Sequence, residues 1–286
     1  MQRWHTVGVM REGSSLQPAA GLHVAAGRRV DESAYDRYIG RWSRLFVPAL
    51  CEAVGVDEDH QVLDVATGTG EAAHAMLPMV GPSGVVVGVD ISTAMVETAN
   101  SRLADRPYFA VAGSAEVLPF ASGSFDIVVC QLGLMFFPNP AQALAEWRRV
   151  LRADGRVAAC VIASAERAPM WGILADVVSF HLPDLAVALH MSFGLGDADR
   201  LRRMFIDAGF HDVLILPETR RGTIASFDDY WTPIEEGIGQ IPQAYLTLPA
   251  STRQAVKAEI RARLAPFERD GGYTMSIDML IATGRC

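Results

Sequence analysis

Lysine is all but missing from this chain. Lys257 is the only one, so the positive charge is carried almost entirely by arginine, and nothing spaces those arginines into a stripe. The formal net charge is −8. A phosphate backbone is therefore not expected as a partner, because nucleic-acid binders carry a basic face. Cysteine is sparse too: Cys51, Cys130, Cys160 and Cys286 lie far apart with no C-x-x-C pair. That spacing argues against a metal site, and Cys130 and Cys160 fall inside apolar runs, as buried free thiols of a reducing compartment would. No run of eighteen apolar residues occurs, so no membrane insertion is expected. Residues 1–30 hold no continuous apolar segment of the kind a signal peptide needs, and the cytoplasm is the expected compartment. Internal repeats are absent. With 50% hydrophobic and 20% charged residues, the chain has the composition of a folded globular protein, not a disordered one.

What is present is an alternation of short apolar runs and helical patterns. Residues 1–30 lack sustained periodicity and read as a flexible extension. Residues 32–54 place Tyr35, Tyr38, Trp42, Phe46 and Leu50 near helical spacing. Strands are then expected over 62–65, 85–89, 108–111, 126–130, 156–162, 213–216 and 277–283. Between them lie helices, one capped by Ser92 and one started by Asn139-Pro140 and stopped by Asp154-Gly155. Further helices are expected over 170–182, 198–208 and 251–264. Apolar strands alternating with helices imply an α/β fold with a mostly parallel sheet and helices on both faces. Long insertions after strands five and six, about 166–200 and 225–270, sit where lids are built.

The first strand runs into "VLDVATGTGEAA". Gly68-x-Gly70-x-x-Ala73 satisfies a dinucleotide fingerprint, whose turn and helix start would hold a pyrophosphate. Asp64, just ahead of the glycines, would face those phosphates with like charge. The pattern therefore favours a ligand with a cation at that place and no phosphate, and S-adenosylmethionine meets both conditions. Asp90, ending the second strand, suits the two ribose hydroxyls of either ligand class.

At this point the stretches "VLDVATGTGEAA", "GVVVGVDISTAMVETA" and "FAVAGSAEVLPFASGSFDIVVCQLGLMFFPNPAQALAEWRRVLRADGRV" resemble class I S-adenosylmethionine-dependent methyltransferases, in the small-molecule group that includes the ubiquinone/menaquinone C-methyltransferases. The resemblance is strong over about residues 32–165, and the closing "SIDMLIATGRC" resembles the last strand of that fold. It implies a Rossmann-like, mostly parallel seven-stranded sheet with a helical lid, a methyltransferase domain over 31–286 and a cofactor-binding core at about 55–165. Residue by residue, it puts Asp64, Ala66 and Gly68 at the methionyl end with Gly70 in the same turn. Asp90 then takes the ribose, Ile91 and Met95 lie near the adenine, and Ser114, Ala115 and Glu116 sit at the adenine edge. Ser114 stands where many relatives carry aspartate. Gln131, Leu132 and Phe136 would face the sulfonium and the acceptor, while Tyr35 and Trp42 would cover the cofactor side from an N-terminal helix.

The acceptor is expected to be a small molecule bound by Trp42, Phe136, Trp171 and Phe193. Should it need a base, His190 is the candidate, against a structural reading of both His181 and His190. No metal is expected, and a homodimer is the assembly considered. Three other functions stay open on the sequence: an NAD(P)-dependent oxidoreductase, a cyclisation or rearrangement without methyl transfer on the same fold, and a non-catalytic binding protein.

Overall fold

The computed structural model describes residues 32–286; the extension expected over 1–30 lies outside them. Five strands form a parallel spine: β1 (Gln61–Val65), β2 (Val85–Asp90), β3 (Tyr108–Ala112), β4 (Phe125–Gln131) and β5 (Leu151–Ile162). Three follow: β6 (His211–Ile224), the two-residue β7 (Glu268–Arg269) and β8 (Gly272–Arg285). The order is β3-β2-β1-β4-β5-β8-β6, with β8 antiparallel to both neighbours and β7 folded back on its start. The spine is apolar because it is covered on both faces: Val62, Leu63, Val86, Val87, Ile127, Val128 and Val129 are all fully buried.

Eleven α-helices accompany the strands among the described residues: α1 (Glu32–Tyr35), α2 (Arg41–Val54), α3 (Glu71–Val80), α4 (Thr93–Arg102), α5 (Pro140–Val150), α6 (Pro169–His181), α7 (Ala186–Leu189), α8 (Ala198–Asp207), α9 (Phe227–Glu235), α10 (Gln240–Leu246) and α11 (Ala250–Leu264). Their starts follow from local chemistry. Ser92 accepts the Met95 amide hydrogen at 3.4 Å, and Asn139 that of Gln142 at 3.1 Å. Asp197 and Ser226 cap α8 and α9 in the same way. Helices lie on both faces of the sheet, with α3 and α4 on β1 to β3 and α8 on β6 and β8. Between β6 and β8, α9 packs on α10, while α11 and α10 both pack on α6.

Three local expectations change. The N-terminal helix is interrupted by a π-helical turn, Asp36–Gly40. Gly40 lies so close to the Asp36 carboxylate that a β-carbon has no room there, and Arg44 holds that carboxylate in a two-pronged ion pair. The helix before β5 ends at Val150, and Asp154-Gly155 falls inside the strand. Strands β6 and β8 are each 14 residues long, far beyond 213–216 and 277–283. β6 is the edge of the sheet, so Glu218, Thr219, Arg220 and Arg221 sit in it with solvent on one side and mask its strand pattern.

Trp42 shows how tightly α2 is laid onto this edge. A β-carbon on Gly222 of β6 would come within 2.8 Å of three indole carbons of Trp42, which is 1% exposed. Gly222→Ala is therefore expected to destabilise the fold by about 1–3 kcal/mol through overpacking. Denaturant unfolding checks this, and an unchanged midpoint would show that Trp42 has room to move.

Candidate functional site

Sheet order reverses between β1 and β4, and the carboxyl ends of the strands open there into one cavity of about 550 Å³. That volume is within the range of small-molecule pockets, roughly 300–1,000 Å³. Two residues beside the reversal carry strained backbone. Ala66, after β1, has φ 56°, and Leu132, after β4, has φ 58°. Each costs on the order of 1–3 kcal/mol and is held there by its surroundings, a pattern that clusters at functional sites. Gly68 and Gly70 continue the first turn with φ 54° and 81°, the left-handed region that glycine enters without penalty. The Thr67 amide donates to the Val89 carbonyl at 3.1 Å and ties the turn to β2.

Asp90 buckles the two strand ends together. Its Oδ2 accepts the Gly68 amide hydrogen and its Oδ1 that of Ser92, both at 2.9 Å. Burial pushes its pKa above the usual carboxylate range, against the pull of the amides of Ser92, Gly68 and Ile91. A carboxylate has about four acceptor positions, so this arrangement leaves capacity for two further hydroxyl donors.

Asp64 is placed differently. It is 1% exposed and lies beneath the turn, with Oδ2 accepting from the Thr67 hydroxyl at 2.7 Å and Oδ1 buried without a partner. Burial pushes its pKa up to about 7; Thr67 and the Ala73 amide lower it and Asp90 raises it further. The carboxylate thus brings charge to the cavity wall and hardly an open face. Above the turn, the Tyr35 hydroxyl lies 3.5 Å from where a β-carbon of Gly68 would stand. Burial, reinforced by Asp90 and Glu71, pushes that phenol's pKa upward, so it stays protonated.

The cavity brings together Tyr35, Asp64, Ala66, Gly68, Asp90, Ile91, Met95, Ser114, Ala115, Glu116, Gln131, Phe136 and Trp171. Glu116 accepts the Asn139 amide hydrogen at 2.5 Å, and its own amide donates to the Ser114 hydroxyl at 3.2 Å, so the edge expected for adenine is internally braced. Ile91 is 57% exposed at the rim. Four other expected residues do not line the cavity. Gly70 turns the chain into α3 and packs on Leu103 and Ala99. Trp42 stands behind Trp171, ring centroids 6.4 Å apart and edge-on. Phe193 packs on the core beside His190. His190 bridges the Ala186 carbonyl and Asp176, each at 2.9 Å. Burial pulls its pKa down, but those two hydrogen bonds and the charges of Asp176 and Glu166 outweigh it and the net shift is upward. An imidazole that is engaged at both nitrogens and biased toward its cation is a poor base.

Several lining residues were not singled out from the sequence: Tyr38 and Ile39 in the π-helical turn, Ser192, and Gly239, Gln240 and Ile241 at the start of α10. Gly239, at φ 92°, was the one local signal available for that last segment.

Comparison with known proteins agrees with this geometry. A family model described as a methyltransferase domain matches residues 63–159. The ubiquinone/menaquinone biosynthesis C-methyltransferase UbiE of Hahella chejuensis is 38% identical over 120 residues, 41% of this chain and 47% of that protein, so this match spans about half the relative's length. The protein of the same description from Ectopseudomonas mendocina is 31% identical over 193 residues, 61% of this chain and 74% of that protein. Among solved structures, the YcgJ protein of Bacillus subtilis superposes with a TM-score of 0.56 at 22% identity, covering 84% of this chain and 97% of that one, and it supports the fold alone. With the seven-strand order, the braced carboxylates at the strand ends and a relative matched over 74% of its length, the chain belongs to the S-adenosylmethionine-dependent methyltransferase family.

Proposed function

We propose that this chain binds S-adenosylmethionine along the β1 to β3 strand ends and methylates a small-molecule acceptor held between Gln131, Phe136 and Trp171. The observation that carries this reading is Asp64, a buried carboxylate under the glycine turn with an unpartnered oxygen and no cation beside it in the cavity wall. A pyrophosphate on that turn would meet its charge unfavourably; an ammonium meets it favourably. Asp90 keeps acceptor capacity for a pair of hydroxyls, and Ile91 offers an apolar face at the rim. The residues present therefore fit the cofactor.

When bound, S-adenosylmethionine supplies a methyl group already activated by its sulfonium. The chain then orients the acceptor against the methyl group, which can supply on the order of 7–11 kcal/mol of a barrier, and the proton displaced from the acceptor as the new bond forms passes to solvent. Tyr35 closes over Gly68, and Trp171 and Ile241, from the two insertions, wall the far side; we read those insertions as the lid. The relatives' description as C-methyltransferases of ubiquinone/menaquinone biosynthesis supports an acceptor from small-molecule biosynthesis, with a quinone-like compound the first to try.

Two measurements test the cofactor site. Asp90→Ala removes acceptors for the ribose hydroxyls, and a hydrogen bond to a charged group contributes about 1.5–3 kcal/mol. Affinity for S-adenosylmethionine is expected to fall about ten- to hundred-fold by calorimetry, with the circular dichroism spectrum unchanged; retained affinity would remove Asp90 from the site. The second concerns pH. Asp64, pushed up to about 7 by burial, is partly protonated in the free protein at neutral pH. A ligand ammonium favours the carboxylate, so binding must release a proton below that pKa. Affinity for S-adenosylhomocysteine should therefore rise as pH is raised toward about 7, and Asp64→Asn should flatten the rise. A wild-type affinity indifferent to pH over that interval would separate Asp64 from the ligand.

A further inference from the structure

Six buried side-chain nitrogen and oxygen atoms have no hydrogen-bond partner among the described residues, and they divide by atom type. The two oxygens, Asp64 Oδ1 and Gln131 Oε1, both belong to residues that line the cavity. Of the four nitrogens, those of Trp42, Trp147 and Arg253 belong to residues outside its lining, and Trp171 Nε1 belongs to its wall. Buried polar groups are paired in the great majority of cases, so each exception asks for a reason. For Asp64 the reason is the cofactor ammonium. Gln131 and Trp171 need a different one. Gln131 ends β4 and pairs with Cys160 of β5, across the sheet reversal from β1 to β3, and Trp171 stands in the first turn of α6, after β5.

Turning the Gln131 amide round does not relieve it. Its nitrogen donates to the Ser43 carbonyl at 3.3 Å. Burial pushes the Cys160 thiol up while a hydrogen bond from Gln131 pulls it down, as a donor to sulfur does. Both neighbours therefore take the nitrogen end, and the oxygen is left over. An amide oxygen only accepts and an indole nitrogen only donates. Tyr38 and Gln240 line the same cavity, and burial raises the Tyr38 phenol so that it stays protonated. A hydroxyl and a primary amide each donate and accept, so those two impose no sense on a ligand. Unpaired indoles at Trp42 and Trp147 show that the fold tolerates such a group, so Trp171 alone argues little. Beside the Gln131 oxygen it completes a complementary pair.

We propose that Gln131 is a specificity-determining residue whose Oε1 accepts a hydrogen bond from a hydroxyl of the methyl acceptor, and that Trp171 Nε1 donates one to an oxygen of the same molecule. A single hydroxyl satisfies both, since it donates one bond and accepts two. An ether satisfies only Trp171 and a hydrocarbon satisfies neither, and each buried group left unpaired carries its desolvation penalty. The acceptor is thus held in one orientation by two bonds of opposite sense, and not by apolar contact with Phe136 and Ile162 alone. The proposal rests on the methyltransferase reading for the word acceptor, but not for the hydrogen bonding of the wall.

The test uses 2-naphthol, 2-methoxynaphthalene and 2-ethylnaphthalene, which lose first the donor and then the acceptor, in equilibrium dialysis against the full chain with and without S-adenosylhomocysteine. The wild type is expected to bind the naphthol at least about five-fold more tightly than the ether, and the ether at least about five-fold more tightly than the hydrocarbon. Gln131→Met keeps the length of the side chain and is expected to remove the first preference while keeping the second. Trp171→Phe is expected to do the converse. Each variant is checked by its melting curve and exchanged for Gln131→Leu or Trp171→Leu should it unfold. Equal binding of naphthol and ether by the wild type overturns the proposal, as does binding of none of the three. A naphthol preference unchanged in the folded Gln131 variant overturns the role of Gln131, and an ether preference unchanged in the Trp171 variant overturns that of Trp171. Affinity for S-adenosylhomocysteine is expected to stay within about two-fold in Gln131→Met; a collapse would give that oxygen to the cofactor and overturn the proposal. If the wild type does not bind S-adenosylhomocysteine, the cofactor reading falls, and the three probes without it still decide the hydrogen bonding of the wall.

Discussion

A carboxylate buried under a left-handed turn, without a cation beside it, is the constraint on which the site depends. Asp64 is 1% exposed, accepts from the Thr67 hydroxyl, and is raised by burial to a pKa of about 7. Such a group is unfavourable for the free fold as pH rises through its native pKa, because the unfolded chain ionises it at its ordinary, lower value. Its presence at the base of a glycine turn makes physical sense when the turn meets positive charge. Asp90 completes the arrangement by gripping the amides of Gly68 and Ser92, so the turn after β1 and the turn after β2 form one rigid rim.

The fold supplies what this rim needs. Continuous burial on both faces holds β1, β2 and β4 in register, and this packing keeps Ala66 and Leu132 in backbone conformations that neither residue favours. Both fall where the strand order reverses, so strain and cavity coincide. The second half of the chain wraps toward the same place: Trp171 from α6 and Ile241 from α10 meet residues of the π-helical turn across the cavity. Arg41 clasped to Asp229 fastens that turn to α9.

Much of this was legible in the sequence, for identifiable reasons. β1, β2 and β4 are uniformly apolar because both of their faces are covered, and Ser92 and Asn139 cap through their own side chains, so local chemistry suffices to find them. Asp64 and Asp90 are placed by their position at strand ends. The depth of Asp64 was not legible, since motif spacing locates a residue without saying on which side of the turn its side chain lies. Trp42 falls at a helical spacing that fits either a lid or a core, and only Gly222, 180 residues later in the chain, decides for the core. The long β6 escapes a search for apolar runs because it is an edge strand, and the first half of β8 escapes it because Thr274 and Ser276 interrupt the run. Gln240 and Ile241 line the cavity through a convergence of α10 with α6 and, at Gly239, with Tyr38 of the π-helical turn that no local pattern records. His190 lies in the insertion after β5, but the structure engages both its ring nitrogens and leaves it out of the cavity lining.

The central claim, that the glycine turn receives a cationic nucleoside and not a pyrophosphate, is tested most directly by titrating the purified chain with S-adenosylmethionine and with NADH in parallel by calorimetry. S-adenosylmethionine is expected to bind and NADH to give no heat at micromolar concentration. Tight binding of NADH with none of S-adenosylmethionine would contradict the claim and return the turn to the dinucleotide class.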